Sequence, residues 1–431
     1  MTTNIHQPPS TLYEQRRKET KALGAYLHAT EFTFLRDNCN GLTKSAMPFE
    51  LTSKKISGLP LRGYFFRNLF DMVQAISPSK DESKKLLFST QLPFIAETLI
   101  TIQYYSNQIL DNKGGVVTKS RIDENLNSKE NLEPALYDYI WQRVFLKDEE
   151  RCDLLRGVNQ ILRLGAIGQV MEDKYTTYDS WVSSIEQKVL SEGIENYFDR
   201  EILDFLEETI SEYVSIQEDH RYFLRTYLVK IYLRNAPLFE ILTQYVVKHS
   251  ELDKHDQTRL RKFAILVGLL LPIVNDINDL VPSNRKLSTE QKTNNDAFAD
   301  LRNNTLTLPM IIHLMTVKNS LMEGLLREGV TDLSLVPEEA LLEELTQHHS
   351  VFKAMSIAKD IQKKAATYLP LESGLPRDMF LDMLRIAENN KYFKHFYNKM
   401  QDYKAYKKLR RENKTLSAIG NCQEAPTLVP A

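Results

Sequence analysis

The sequence predicts an all-α protein. Apolar residues recur at helical spacing along most of the 431 residues, whereas sustained alternation of apolar and polar residues, which is typical of strands, is absent. Glycine is scarce, at 15 residues, and the Asn-Gly dipeptide that favours tight hairpins occurs once, at Asn40-Gly41. An all-helical fold is therefore favoured over any fold that contains a sheet.

The helices and the connections between them can be predicted in chain order. Four segments each give three or more turns with an apolar face, and they span 92–110, 154–171, 222–247 and 260–281. The run 263–274 is apolar on more than one face, which predicts a central helix surrounded by others. Polar stretches predict the linkers, at 78–84, 118–134, 281–296 and 371–378.

Composition limits the classes of partner. Lys plus Arg (55) nearly equals Asp plus Glu (57), and the formal net charge of -2 favours neither nucleic acid nor an anionic membrane. The longest apolar run is too short to cross a bilayer, so no integral membrane association is expected. Cys39, Cys152 and Cys422 match no zinc or redox spacing, which fits a cytoplasmic protein.

The domain organisation follows from the same patterns. We expect an N-terminal extension over 1–50, one helical domain over 51–411, and a flexible tail over 412–431, where the apolar period is lost. One large helical unit is expected because no stretch rich in Pro, Gly or Ser divides the chain.

An acidic cluster lies at the end of the apolar segment 263–274. Asn275, Asp276 and Asp279 follow it at spacings that place them on adjoining helix faces. Such carboxylates repel one another unless solvated or bridged by a cation, and Mg²⁺ binds to one or two carboxylates together with water and substrate phosphate. A plain helix end that frays into a turn is the alternative interpretation.

These residues carry a resemblance to a known family. NDINDL followed by DLRNNTLTLPMI (300–311) resembles the second aspartate-rich region of the polyprenyl (isoprenyl diphosphate) synthases, and YYSNQILDNKGG (104–115) occupies the place of their first such motif. Further segments resemble the family in the same order, namely GLPLRGYF (58–65), Gly168-Gln169 with Glu172, and KIYLRNAPLF (230–239).

The resemblance implies a class I isoprenoid synthase-like helical bundle around a central cavity, as in the related class I terpene synthases. It implies Mg²⁺ held by Asn107, Asp111, Asn275, Asp276 and Asp279, with the three aspartates as catalytic groups. A prenyl diphosphate would be the substrate, and family analogy implies a homodimer or heterodimer. The residues implied to contact diphosphate are Arg62, Lys113, Gln169, Arg234, Arg285 and Lys286.

The departures from the family pattern leave three hypotheses. Asn107 and Gln108 replace paired aspartates, and of the basic residues that hold isopentenyl diphosphate near the start of the family sequence only Arg62 remains. The first hypothesis is a terpene synthase-like enzyme that ionises one prenyl diphosphate. The second is a prenyl transferase that condenses an allylic diphosphate with isopentenyl diphosphate. The third is a non-catalytic regulatory or binding subunit with the same fold.

Overall fold

The computed structural model describes residues 9–38, 61–110, 119–144, 146–183, 198–278, 280, 299–302, 304–329, 338–370 and 374–385. Within these ranges the protein is helical, and the pairing of extended backbone is limited to one isolated bridge between Thr177 and Thr305. The predicted all-α fold is confirmed. In the same ranges, no helix combines the length and the apolar character that crossing a membrane requires.

Seventeen α-helices are described, and two short π-helical segments, His28–Phe32 and Leu87–Gln91, join neighbours in the chain. In order, the helices are α1 Pro9–Leu27, α2 Thr33–Asn38, α3 Leu61–Ile76, α4 Glu82–Leu86, α5 Leu92–Leu110, α6 Lys119–Arg143, α7 Asp148–Tyr175, α8 Tyr178–Val182, α9 Arg200–Ser211, α10 Glu218–Lys248, α11 Lys254–Asn278, α12 Ala299–Arg302, α13 Leu308–Thr316, α14 Leu321–Glu328, α15 Glu338–Gln347, α16 Ser350–Thr367 and α17 Leu375–Leu384.

Helix α10 forms the centre of the bundle, with α7 and α11 packed along it. Two glycines allow this close packing. A Cβ atom added at Gly268 of α11 would lie 2.5 Å from the Cα of Ala236, and one added at Gly168 of α7 would lie 2.8 Å from the backbone nitrogen of Arg234. Both helices therefore lie close to α10 at the same level, near Arg234.

Helix α11 is buried as the apolar run predicts. All of its residues from Phe263 to Leu270 are buried, including Gly268, which has no side chain. The helix packs against α10 on one side and α16 on another. Burial on several faces explains why the sequence carries no polar stripe there.

One predicted linker is wrong. The segment 118–134 belongs mostly to α6, which runs unbroken through Pro134. Its buried residues, Leu132, Leu136 and Tyr139, recur at helical spacing and pack into the core. Charged and amide residues dominate the first half of α6, so that half resembles a loop in sequence.

The N-terminal region packs on the bundle where it is described. Leu27, Phe32 and Leu35 are buried in the common core. Arg16 of α1 donates from Nε to the Oδ2 atom of Asp382 in α17 at 2.5 Å, and both side chains are buried. The predicted tail over 412–431 lies outside the described residues.

Candidate active site

A cavity of about 830 Å³ lies inside the bundle. Helices α3, α5, α6, α7, α10, α11 and α17 line it. Charged and amide side chains from α7, α10 and α11 form one part of its wall, and aromatic side chains form another. The cavity thus joins a polar region to an apolar one.

The polar region is built on one face of α10. Tyr227, Lys230 and Arg234 lie three and four residues apart, so they share a face of the helix. Glu172 of α7 accepts from both cations: its Oε1 atom lies 3.5 Å from the Nζ of Lys230, and its Oε2 atom accepts from Arg234. Lys230 and Glu172 are buried. The carboxylate of Glu172 therefore holds two cations on successive turns of α10.

Helix α11 contributes Asp276 to the same polar region. Its Oδ2 atom accepts from the hydroxyl of Tyr227 at 2.7 Å and from the backbone N–H of Leu308 at 3.4 Å. Burial raises the pKa of Asp276, and the charge of Lys230 opposes that effect. Burial also lowers the pKa of Lys230, while Asp276 and Asp300 oppose it.

A short segment before α13 positions Asp276 relative to Glu172. Leu306 donates its N–H to the carbonyl of Thr176, at the end of the helix that carries Glu172. Leu308, two residues later, donates to Asp276. Asn304 begins this segment in the left-handed conformation (φ 56°), which asparagine tolerates better than most residues. The segment therefore joins the ends of α7 and α11.

Arg62 and Glu97 form a second charged pair at the cavity. Glu97 is buried and accepts from the backbone N–H of Gly63 at 2.8 Å. Burial lowers the pKa of Arg62 and the charge of Glu97 opposes this. Burial raises the pKa of Glu97, with Arg62 opposing in turn. The Nε atom of Arg62 is buried and makes no hydrogen bond within the described part of the chain.

Four phenylalanines line the apolar region. The ring centroid of Phe65 lies 5.0 Å from that of Phe239 and 5.3 Å from that of Phe380, and Phe263 lies 4.9 Å from Phe380. The Phe65–Phe239 and Phe263–Phe380 pairs meet edge to face. They come from α3, α10, α11 and α17, so the aromatic wall depends on the whole bundle.

The structure brings together five of the eleven residues implied by the resemblance. Arg62, Gln169, Arg234, Asn275 and Asp276 all line the cavity. The backbone of Asn107 belongs to α5, but its side chain is not described. The others lie outside the described residues, namely Asp111, Lys113, Asp279, Arg285 and Lys286.

Sequence reasoning did not select Lys230 or Tyr227 for the site. The one signal for Lys230 was a lysine within an apolar stretch, one turn before Arg234. Its partner Glu172 is distant in sequence, and only the packing of α7 on α10 brings them together.

Among the described residues, no group of three or more His, Cys, Asp or Glu side chains could hold a metal ion. Asp276 and Asn275 offer oxygen atoms at the cavity. Mg²⁺ often uses one or two carboxylates with water and substrate phosphate, and these two side chains fit that donor set. Glu172 does not, because Lys230 and Arg234 already contact both of its oxygens.

No protein-family model matches the sequence, and a search of curated proteins finds no match. Solved structures do match. A geranylgeranyl pyrophosphate synthetase from Pyrococcus horikoshii superposes with a TM-score of 0.58 at 14% identity, covering 89% of this chain and 99% of that one. The chain has the polyprenyl synthase fold.

Two further solved structures, both of polyprenyl synthases, are similar to this chain. A polyprenyl synthase from Caulobacter crescentus, complexed with calcium and isoprenyl diphosphate, gives a TM-score of 0.57 at 14% identity, covering 89% of this chain and 97% of that one. A decaprenyl diphosphate synthase from Rhodobacter capsulatus gives 0.56 at 16% identity, covering 88% and 98%. The predicted helical bundle around a cavity is therefore confirmed at the level of the fold.

Proposed function

We propose that this protein is a prenyl transferase that binds an allylic diphosphate in the cavity and condenses it with isopentenyl diphosphate. The observation that carries the proposal is the joining of a cationic and acidic region, formed by Lys230, Arg234 and Asp276, to an aromatic wall in one cavity. A prenyl diphosphate has a charged head and an apolar tail, and this arrangement is complementary to both.

The chain's own residues would act on the diphosphate and on the carbocation. Lys230 and Arg234 would neutralise negative charge on the departing pyrophosphate. The aromatic wall would exclude water and face the allylic cation with its π-electrons. Mg²⁺, held through Asp276 and Asn275, would supply further positive charge for the leaving group.

Two observations support two substrates over one. Arg62, Lys129 and Arg163 line the cavity from α3, α6 and α7, whereas Lys230 and Arg234 line it from α10. A second cationic region could hold a second diphosphate. The solved structures to which the chain is similar are named as synthases of geranylgeranyl and longer prenyl diphosphates.

The one-substrate synthase stays as the second candidate. It is favoured by Glu97, whose buried carboxylate offsets the charge of Arg62 and so weakens the attraction of that region for a second diphosphate. The two functions differ in their need for isopentenyl diphosphate.

The test is pyrophosphate release from geranyl, farnesyl and geranylgeranyl diphosphates with Mg²⁺, with and without isopentenyl diphosphate. Release that requires isopentenyl diphosphate is the expected result. Release without it would establish the one-substrate synthase. Asp276→Asn should reduce either release about 100-fold or more, because it removes the carboxylate that would hold Mg²⁺ at the cavity. No release by folded protein would point to a non-catalytic subunit.

A further inference from the structure

Helix α17 supplies part of the apolar wall of the cavity. Phe380, Met383 and Leu384 line the cavity, and all three side chains are buried. The ring of Phe380 also contacts two other rings of the aromatic wall, those of Phe65 and Phe263. Helix α17 has ten residues, so it depends on contacts with other helices to keep its position. A movement of α17 would change the space that the cavity offers to an apolar ligand.

The other side of α17 is held by an ion pair with α1. Asp382 lies two residues from both Phe380 and Leu384, which places it on the opposite side of the helix. The Nε atom of Arg16 donates to its Oδ2 atom at 2.5 Å, and the two side chains are 7% and 2% exposed. Within the described residues, the Oδ1 atom of Asp382 accepts no hydrogen bond. Arg16 is therefore the group in this part of the chain that compensates the buried carboxylate.

Helix α3 connects α1 and α17 a second time. Glu19, one turn after Arg16 in α1, accepts from the hydroxyl of Tyr64 in α3 at 2.8 Å. Asn68, one turn after Tyr64, donates from its side chain to the carbonyl of Pro376 in α17 at 3.0 Å. The three helices thus contact one another pairwise, and the contact between α1 and α17 is the one made by two buried charges.

We propose that Arg16 is a positioning residue, which fixes α17 against the cavity through Asp382 and so limits the length of the prenyl chain that the cavity holds. The inference rests on the proposed function and deepens it, because it names a part of the chain that controls substrate length. A buried carboxylate is costly away from its partner, whereas apolar side chains can repack at little cost. The ion pair therefore restricts the position of α17 more than an apolar contact would.

A purely structural role for the pair is the alternative. Arg16 would then only stabilise the fold, and its loss would lower the melting temperature without changing which chain length binds best. The two roles are separated by measuring stability and length preference on the same variants.

The experiment is equilibrium dialysis of tritiated geraniol, farnesol and geranylgeraniol against the full chain. These alcohols carry the prenyl tail without the diphosphate, so their binding reports on the apolar region. Arg16→Met should raise the ratio of the affinity for geranylgeraniol to that for farnesol about fourfold or more, the gain expected if outward movement of α17 lets the cavity bury one further methylene group. Arg16→Lys should stay near the wild-type ratio, because its ammonium can also donate to Asp382.

Two further variants separate position from stability. Arg16→Met with Asp382→Leu replaces the pair by apolar side chains and so avoids an uncompensated buried charge. Its affinity ratio should shift as that of Arg16→Met does. Arg225→Met is the matched control, because Arg225 pairs with the buried Glu207 and neither residue lines the cavity. It should lower the melting temperature and leave the affinity ratio unchanged.

Two outcomes would overturn the positioning role of Arg16 and leave the proposed function standing. One is a wild-type affinity ratio in the folded double variant. The other is an equal shift of the ratio in Arg225→Met, since a general loosening of the fold would then explain it. If folded wild type binds none of the three alcohols, both the positioning role and the proposed function fail.

Discussion

At the scale of single residues, Glu172 has the largest structural role in the polar region. It is the shared partner of two cations, one of which is fully buried. Removing one member of a buried ion pair leaves the other charge without compensation, which is costly even where the intact pair adds little net stability.

The first prediction concerns this carboxylate. Glu172→Gln should lower the free energy of unfolding by about 3 kcal/mol, at the low end for a buried pair because Asp276 and Asp300 remain near Lys230. Denaturant unfolding measures the change. Glu149→Gln, an exposed glutamate on the same helix, is the control. A loss below about 1 kcal/mol for Glu172→Gln would contradict the role given to the pair.

Single residues of the site were predicted where the family pattern fixes them. Arg62, Gln169, Arg234 and Asp276 were placed by resemblance, and all line the cavity. Lys230 was not, because no periodicity shows which carboxylate a buried lysine will meet. That information resides in the packing of two helices.

At the scale of elements, the contact between α10 and α11 depends on a missing side chain. A Cβ at Gly268 would lie within 2.5 Å of a backbone atom of Ala236, a distance that real Cβ contacts do not reach. The helices would have to separate to accept it.

The second prediction compares two glycines in helices. Gly268→Ala should lower the free energy of unfolding by about 1–3 kcal/mol through overpacking, although alanine has the better helix propensity. Gly324→Ala in α14, where nothing lies within 4 Å of the new Cβ, should instead raise it by about 0.4–1 kcal/mol. Thermal melting of both variants is the measurement, and equal effects would refute the close contact.

Four helices meet at His313, which is inaccessible to solvent. Its Nδ1 atom lies 3.0 Å from the hydroxyl of Ser350 in α16, and its Nε2 atom lies 2.9 Å from Glu344 in α15. Glu344 also accepts from the backbone N–H of Leu321 at the start of α14. Burial lowers the pKa of His313, with Glu344 opposing and His348 adding to the effect.

The third prediction is that the stability of the folded protein depends on pH through His313. In the unfolded chain the imidazole takes up a proton below about pH 6.5, but in the folded protein it does so only at lower pH. The unfolded state therefore binds more protons between these values, so stability is full above about pH 6.5 and falls as the pH is lowered.

Urea unfolding at pH 7.5 and 5.5 tests this. Wild type should lose about 1 kcal/mol more than His313→Gln over that interval, whereas His255→Gln, which changes an exposed histidine, should behave as wild type. An equal loss in wild type and His313→Gln would assign the pH dependence to other groups.

Elements were predictable where one apolar face runs through the whole segment. Segment 222–247 meets this condition and lies within α10, and most of segment 260–281 lies within α11, which ends at Asn278. Helix α6 does not, because charged and amide residues dominate its first half, which therefore resembles a polar linker in sequence. Packing in the second half decides the state of the whole helix.

At the scale of the whole molecule, the cavity extends along α11. Phe263 precedes Asp276 by thirteen residues, which corresponds to about 20 Å along the helix axis at 1.5 Å per residue. The polar region at Asp276 and the aromatic wall at Phe263 are thus separated by about half the length of the 25-residue helix. The fold class was predictable from periodicity, but these dimensions were not, since they depend on how seven helices pack.

The fourth prediction uses this length and rests on the proposed function. Phe263→Leu should shift the preferred substrate or product toward a longer prenyl chain, because it removes part of the aromatic wall. Chromatography of the products measures the shift. Tyr245→Leu on α10, an aromatic change away from the cavity, is the control. If Phe263→Leu leaves the length of the prenyl chain unchanged, residues other than Phe263 limit that length.

The segment that joins α7 and α11, with Leu306 and Leu308, fixes the orientation of a side chain at the cavity. Tyr227 and Leu308 both donate to one oxygen of Asp276, and both donors are themselves fixed by the bundle. The orientation of this carboxylate is therefore set during folding. Ordering a side chain on binding costs on the order of 1 kcal/mol. A ligand that meets Asp276 avoids this loss of entropy, because the side chain is preorganised before the ligand arrives.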